Sequence, residues 1–337
     1  MAGEPVTPAS SPDRPGWARR ALPWVLRLLV PALFGLWLWK FADLAALGRA
    51  FASLAPGALV LAAGLALVNI VIGGVRWRVL MHSFGARDLP GVLVIIRVFF
   101  VGLFYNTFVP GSVGGDVVRG VVSRQRFQGR ATSFVVVLIE RLVGLLALCL
   151  VFLVGLLGVA GAVRGVDLHQ VLWWVAGLAA VGVLALALAL AGGWLRKLLG
   201  HVPRIRHPLD LVWVFGLSLL GHGASLMIFA LLARGLGIQV SLAELLFVVP
   251  LALLSAVIPI AIAGMGPREV ALVALLRWVG VQTEQGVALS LVYAGIIVAT
   301  AGVGGVLQLI HGRVGLGAAP PAVKEPQSAL QTERSER

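Results

Sequence analysis

Long apolar runs alternate with short polar or charged segments along most of the chain. Four of these runs contain no Asp, Glu, Lys or Arg: residues 56–75, 171–195, 211–233 and 286–310. Each reaches the roughly 20 residues that a helix needs to cross the apolar core of a bilayer. Residues 21–39 and 133–163 are also apolar, apart from Arg27, Glu140 and Arg141. The pattern therefore predicts six membrane-spanning helices.

Two further apolar segments, residues 89–120 and 245–280, are interrupted by glycine and proline. Arginines lie on both sides of the first, so the positive-inside rule places both of its ends at the cytoplasm. The second is expected to enter from the opposite side, because the last span must end inside at Arg313. Both segments are predicted to be re-entrant hairpins. The expected fold is an all-α polytopic membrane protein with six full spans and two re-entrant hairpins.

The two interrupted segments have similar sequences. VPGSVGGDVVRG around Pro110 resembles IPIAIAGMGPRE around Pro259, which follows 149 residues later. The order of span, span, hairpin and span occurs twice, in residues 21–163 and in residues 171–313. Because each half contains three crossings, the second copy is predicted to be inverted relative to the first, as in many transporters.

Composition and charge agree with a membrane protein. The chain is 59% hydrophobic and only 12% charged, whereas about 25% of residues are charged in soluble domains. Its net charge of +13 resides in the loops, where topology explains it without nucleic acid. We expect one domain, residues 21–313, in the cytoplasmic (inner) membrane. The polar tails, residues 1–20 and 314–337, are expected to be disordered and cytoplasmic.

The hairpin tips carry the candidate chemistry. Backbone that is not helical at membrane depth must be covered by protein or line a watery cavity. Helix N-termini that follow such turns attract anions, and arginine forks suit a phosphate. The sequence therefore predicts an anionic head-group site where the two tips meet. The predicted substrate-binding residues are Gly114, Gly115, Asp116, Arg119, Gly264, Gly266, Arg268 and Glu269, with the glycines allowing positive φ and close approach.

Several interpretations of these charges stay open. Each carboxylate could hold its arginine in place, neutralise it in the empty state, or receive a cationic part of the substrate. The charged pairs could also be purely structural ion pairs at helix ends. The predicted supporting residues are Arg97, Asn106, Pro110, Glu140, Arg141 and Pro259. Glu140 and Arg141 could brace the first hairpin or act directly, and Asn106 is expected to bind backbone at the bend.

Other polar residues in the apolar segments are expected to be structural. Arg76 and Trp77 end a span and are interpreted as a cytoplasmic anchor, His222 as a helix contact, and Glu244 as a helix cap. None of the three lysines follows a glycine, so no P-loop and no ATPase activity are expected. Cys149 is the only cysteine. No metal site, cofactor or nucleic-acid partner is predicted.

Four motifs together resemble the lysylphosphatidylglycerol synthase transmembrane-region family of flippase-like proteins. They are RW at residues 76–77, N-x-x-x-P-G-x-x-G-G-D-x-x-R at 106–119, ER at 140–141, and P-x-x-x-x-G-x-G-x-R-E at 259–269. The resemblance implies movement of lipids between leaflets. It implies aminoacylated phosphatidylglycerol as cargo where a synthase domain is fused, and polyprenyl-phosphate-linked sugars or other anionic lipids in relatives.

The chain departs from the fused family members in one respect. A polar tail stands where they carry an aminoacyl-transferase domain, so lysylphosphatidylglycerol itself is not the expected cargo. The favoured hypothesis is a flippase for an anionic or aminoacylated phospholipid or a polyprenyl-phosphate-linked intermediate, rather than an enzyme. The alternatives are a membrane transferase that uses Asp116, Glu140 or Glu269 as general base on a lipid head group, and a scaffold for a separate synthase or glycosyltransferase. Oligomeric state, direction and energy source stay open.

Overall fold

The computed structural model describes residues 44–108, 114–127, 131–162, 204–256 and 266–311. Within these ranges every regular element is a helix, and no strand occurs. The helices are α1 (Leu44–Ala52), α2 (Pro56–Ser83), α3 (Val92–Phe108), α4 (Gly114–Ser123), α5 (Thr132–Ala162), α6 (Leu209–Gly235), α7 (Leu242–Ser255), α8 (Pro267–Trp278) and α9 (Thr283–His311). A 3₁₀ turn, Arg124–Arg126, follows α4.

Four of these helices are long and apolar enough to cross a bilayer: α2, α5, α6 and α9. They coincide with four of the six predicted spans, which are therefore confirmed as helices of sufficient length. The other two predicted spans, residues 21–39 and 171–195, lie outside the described residues, as do both predicted tails. The protein is a multi-pass membrane protein.

The two interrupted segments each form a pair of short helices. The first pair is α3, of 17 residues, and α4, of 10 residues. The second pair is α7, of 14 residues, and α8, of 12 residues. Pro110, Pro259 and Gly264 lie in the connections between the paired helices, outside the described residues. We call α3 with α4, and α7 with α8, the two broken helix pairs; their re-entrant course stays a prediction.

Local sequence explains where the helices of the second pair begin. Ser241 Oγ accepts a hydrogen bond from Glu244 N at 3.2 Å, and Glu244 Oε2 accepts one from Ser241 N at 2.7 Å. This reciprocal capping box satisfies two donors that a helix start otherwise leaves unpaired, and it confirms Glu244 as a cap. Pro267 provides the first residue of α8, a position where its missing N–H has no consequence.

The described helices follow one order twice. A long helix, a broken helix pair and a second long helix occur as α2 to α5 and again as α6 to α9. The offset of 149 residues between Pro110 and Pro259 also brings α5 onto α9 to within about two residues. The predicted order has one further span at the start of each copy, and those two spans, residues 21–39 and 171–195, lie outside the described residues.

Packing between the halves is reciprocal. Helices α2 and α6, which are equivalent in the two halves, lie against each other. Helix α3 packs on α9 of the other half, and α7 packs on α5. Both contacts use a glycine: a Cβ at Gly304 would lie 2.0 Å from the Phe100 carbonyl oxygen, and one at Gly155 would lie 2.3 Å from the Leu246 carbonyl carbon. These two glycines are themselves separated by the repeat offset, so each half holds the other's broken helix pair in the same way.

Candidate functional site

Five charged side chains form a chain of alternating sign that we call the first ion cluster. In order they are Arg141, Asp116, Arg119, Glu140 and Arg76. They come from α2, α4 and α5. Each carboxylate lies between two guanidinium groups, and an arginine stands at each end of the chain.

Glu140 is the most buried member of the first ion cluster, with 1% of its side chain exposed. Its Oε1 accepts a hydrogen bond from Arg76 Nη2 at 2.8 Å, and its Oε2 accepts one from Arg119 Nη1 at 2.5 Å. Both carboxylate oxygens are therefore engaged by charged donors, which form stronger hydrogen bonds than neutral ones. Glu140 ties the broken helix pair to two long helices.

Asp116 plays the same part nearer the surface. Its Oδ1 accepts from Arg119 Nη2 at 2.5 Å, and its Oδ2 accepts from Arg141 Nε at 2.9 Å. Asp116 and Arg119 are three residues apart on α4, where side chains of one helix face meet. Arg141 is half exposed, whereas Arg119 is buried. The cluster therefore runs from the surface of α4 and α5 into the interior.

Arg76 forms the other end of the first ion cluster, with 21% of its side chain exposed. Its Nη1 donates to Ser218 Oγ of α6 at 3.3 Å, and its Nη2 donates to Glu140. The sequence favoured a cytoplasmic anchor for this arginine, and that stays a prediction; the structure adds that its guanidinium group pairs with side chains of α5 and α6. The RW motif at residues 76–77 marked this arginine in the sequence. The sequence of one helix does not show, however, which side chain of another helix binds Arg76.

Aromatic rings enclose the buried part of the cluster. The Arg119 guanidinium carbon lies 4.7 Å from the centre of the Phe99 ring and 5.9 Å from that of Trp77. Rings at these distances attract a cation through their negative faces. Two buried donors beside them, Arg76 Nε and Trp77 Nε1, have no hydrogen-bond partner. Two N–H groups at the Arg76 end of the cluster are thus available to bind an acceptor.

The start of α4 lies very close to α3. A Cβ at Gly115 would lie 2.3 Å from the Gly102 carbonyl oxygen, and one at Gly114 would lie 2.8 Å from the Tyr105 carbonyl oxygen. Gly114 and Gly115 do not have positive φ, so the prediction of positive φ is wrong for both and close approach explains them. Asn106 Oδ1 accepts from Gly115 N at 2.7 Å, which is the backbone contact expected of Asn106.

The equivalent residues of the second half form a smaller group. Arg268 and Glu269 are both buried and pair with each other, with Arg268 Nε donating to Glu269 Oε1 at 2.9 Å. The Arg268 guanidinium carbon lies 4.8 Å from the centre of the Tyr293 ring. Gly266 has φ of 135°, a conformation that only glycine adopts readily. We call Arg268 and Glu269 the second ion pair.

One backbone donor at each of the two helix starts is occupied. Gly115 N binds Asn106, and Gly266 N donates to Glu269 Oε2 at 2.6 Å. The sequence predicted that these helix N-termini would offer free N–H groups to an anion. That prediction is wrong for these two N–H groups, because polar side chains of the protein already cap them. The arginines, rather than the helix ends, are the stronger candidates for binding an anion.

The predicted site residues fall into two separate groups. The ion pairs that the structure describes join Asp116 and Arg119 to α5, and join Arg268 only to Glu269. No described ion pair bridges the two groups. Arg97 is half-buried on α3. His222 Nε2 lies 2.9 Å from the Gly144 carbonyl oxygen, which confirms His222 as a helix contact.

The first ion cluster has a surplus of positive charge. Its three guanidinium groups face two carboxylates, so the cluster carries a net charge of +1, whereas the second ion pair is neutral. The two terminal arginines, Arg141 and Arg76, are partly exposed, and an unbalanced charge within a membrane domain is unfavourable unless a counter-ion approaches it. No group of three metal-ligating side chains occurs in the described part of the chain. The chemistry of the cluster therefore favours an anion.

Comparison with known protein families identifies the domain. The family model of the lysylphosphatidylglycerol synthase TM region matches residues 24–305. The chain belongs to this family. The match covers α2, α5 and α6, α9 as far as residue 305, both broken helix pairs, and every residue of the first ion cluster and the second ion pair. No curated protein matches the chain. Membership of the lysylphosphatidylglycerol synthase TM family indicates a lipid-related function in the membrane.

Proposed function

We propose that the protein translocates a lipid with an anionic head group across the cytoplasmic membrane and that the first ion cluster binds its phosphate. One observation carries the proposal: a cluster of three arginines and two carboxylates, with Arg119 and Glu140 buried at its centre, lies on a broken helix pair of a membrane domain. Membership of a lipid-related family supports the class of substrate. Cargo of this class includes anionic phospholipids and polyprenyl-phosphate-linked intermediates.

The carboxylates act as internal counter-ions in the empty state. Asp116 and Glu140 accept hydrogen bonds from both terminal nitrogens of Arg119. An incoming phosphate competes for these donors, because forked guanidinium groups bind phosphate and carboxylate in similar geometry. Its charge also offsets the positive surplus of the cluster. Binding is therefore an exchange of partners rather than entry into a vacant charged cavity.

The two halves provide the movement. The duplicated helix order is proposed to be an inverted repeat in which both broken helix pairs are re-entrant and both termini are cytoplasmic. The reciprocal contacts of α3 with α9 and of α7 with α5 suit two similar units that rock against each other around the site, as alternating access requires. Arg268 is proposed to receive the phosphate in the opposite conformation, where Glu269 is its counter-ion.

The geometry does not favour a membrane transferase. A general base needs an oxygen within reach of the substrate proton, and both oxygens of Glu140 are held by arginines in the interior. Asp116 likewise has both oxygens engaged. The scaffold hypothesis requires that the loops, and not these buried charges, determine activity. It therefore predicts that variants of Arg119 are silent.

The test is lipid sidedness in proteoliposomes. The lipids are fluorescent phosphatidylglycerol, phosphatidylcholine and a polyprenyl-phosphate sugar. Each is reconstituted with wild type, Arg119→Lys or Arg277→Ala. Dithionite quenches the label in the outer leaflet, so the quenched fraction over time reports movement between leaflets. We expect wild type and Arg277→Ala to equilibrate one anionic lipid at the same rate. Arg119→Lys, which keeps the charge but loses the fork, is expected to be about tenfold slower or more, as for loss of one charge-assisted hydrogen bond.

Arg277 is a suitable control because it is an exposed arginine in the last turn of α8, away from both ion groups. Equal rates for wild type and Arg119→Lys would contradict a phosphate site at the first ion cluster. If correctly inserted wild type moved no lipid, the translocation proposal itself would be wrong.

A further inference from the structure

Arg141 stands in the middle of an exposed apolar stripe on α5. Phe134, Leu138 and Leu145 are exposed apolar residues, and together with Arg141 they recur at spacings of three or four, so all four share one helix face. The side chain of Arg141 is 52% exposed. It lies nine residues after the start of α5, about 14 Å along the helix axis. A charged group is thus presented at some depth on a surface that otherwise suits lipid tails.

Helix α4 provides the second wall of this surface. Val117 and Val121, one turn apart, are both 50% exposed. Asp116 is next to Val117, is 19% exposed, and binds Arg141 across the boundary between the two helices. Farther along, the helices close together, because a Cβ at Gly120 would lie 2.5 Å from the Phe134 ring. We call this surface, with the Asp116 and Arg141 pair at its centre, the α4/α5 face.

A charge on the α4/α5 face needs an explanation. Exposed apolar side chains of a membrane helix face lipid tails, and an arginine at the centre of a span is unfavourable by about 2.5–3.5 kcal/mol on insertion scales. Asp116 neutralises Arg141 only in part, because it also binds Arg119. The surplus positive charge of the first ion cluster is therefore nearest to the bilayer at Arg141. A lipid phosphate is the anion that a bilayer can supply there.

We propose that the α4/α5 face is a lateral docking site for one phospholipid with a singly charged phosphodiester. Arg141 binds the phosphate first, while the acyl chains stay in the bilayer against the stripe on α5 and the valines of α4. From there the phosphate passes inward by displacing Asp116 from Arg119. This inference rests on the proposed function and adds the route of access and the charge of the head group.

The net charge sets the selectivity. A phosphodiester with one negative charge balances the +1 of the first ion cluster, a zwitterionic phosphocholine head group brings no net charge, and a phosphomonoester overcompensates. A net charge of either sign that remains after the lipid binds is unfavourable in an apolar site. Phosphatidylglycerol is therefore preferred over both phosphatidic acid and phosphatidylcholine.

Photo-crosslinking tests the docking site directly. The full-length protein is reconstituted in liposomes that contain phosphatidylglycerol or phosphatidylcholine with a diazirine in one acyl chain, and labelled peptides are mapped by mass spectrometry. We expect phosphatidylglycerol to label residues 116–121 and 134–145. The yield should fall about tenfold in Arg141→Ala and remain near wild type in Arg277→Ala. Arg141→Lys should retain part of the labelling, because it keeps the charge.

Two results would overturn the inference: equal labelling in wild type and Arg141→Ala, or equal labelling by the two lipids. The first would mean that Arg141 only pairs with Asp116. The outcome is independent of the proposed function, which the sidedness assay measures. Transport that is abolished in Arg119→Lys but unchanged in Arg141→Ala would retain the function and reject the docking site. Specific labelling without transport would retain the docking site and reject the function.

Discussion

Replacing Glu140 is expected to be the most damaging single change to the first ion cluster. The variant Glu140→Gln keeps the shape of the side chain but removes the charge that faces both Arg76 and Arg119. The amide NH₂ group of the glutamine then faces one of the two arginines, and two hydrogen-bond donors oppose each other there. The pair of guanidinium groups is then left facing a single neutral acceptor in the interior.

The expected magnitude follows from burial and from the partners that remain. Removing one member of a buried ion pair destabilises a protein by about 3–5 kcal/mol. In Glu140→Gln, Arg119 keeps its hydrogen bond to Asp116, and Arg76 keeps its hydrogen bond to Ser218. The loss of unfolding free energy should therefore lie near the lower end of this range, at about 3 kcal/mol. Glu140→Ala also leaves a cavity and should approach about 5 kcal/mol.

The assay is equilibrium unfolding in mixed micelles, titrated with sodium dodecyl sulfate and monitored by tryptophan fluorescence. Glu284→Gln is the matched control, since Glu284 lies in the first turn of α9 outside the cluster, and it should change the free energy of unfolding by no more than about 0.5 kcal/mol. Arg76→Gln combined with Glu140→Gln completes a double-mutant cycle with an expected coupling of about 1–3 kcal/mol. A change below about 1 kcal/mol for Glu140→Gln, or strict additivity, would refute the bridging role.

Two further predictions concern close backbone contacts and use the same unfolding assay. Gly115→Ala should destabilise the protein by about 1–3 kcal/mol, because its methyl group overlaps the α3 backbone. Gly216→Ala is the control, since a Cβ there has no atom within 4 Å, and it should be neutral or stabilising by up to about 1 kcal/mol. Gly155→Ala and Gly304→Ala should destabilise the protein to a similar degree, whereas the control Gly302→Ala should not. A large effect of only Gly155→Ala or only Gly304→Ala would show that the contacts of α7 with α5 and of α3 with α9 are not equivalent.

Much of the helical layout was predictable from sequence. Apolar length alone indicated α2, α5, α6 and α9, since a helix that crosses a bilayer must satisfy its backbone internally and be apolar outside. The similar glycine and proline motifs 149 residues apart indicated the broken helix pairs. These signals are local, and a single sequence therefore carries them.

The partners within the site were only partly predictable. That Glu140 and Arg141 could brace the first hairpin was an open alternative, and the structure brings both to α4. The pairing of Arg76 was missed, because the end of an apolar run looks the same whether its arginine faces a membrane surface or another helix. The capping of Gly115 and Gly266 was missed as well, because it depends on side-chain geometry at the turns.

The reciprocal packing of the halves has a consequence for biosynthesis. Phe100 of α3 meets its partner at Gly304, about 200 residues later in the chain. At the roughly 5–20 residues per second of translation, α3 waits some 10–40 s for α9 to leave the ribosome. During that interval the first half lies in the membrane with the Phe100 side of α3 uncovered. The nascent first half therefore depends on lipid or an insertion chaperone to shield this side until the chain is finished.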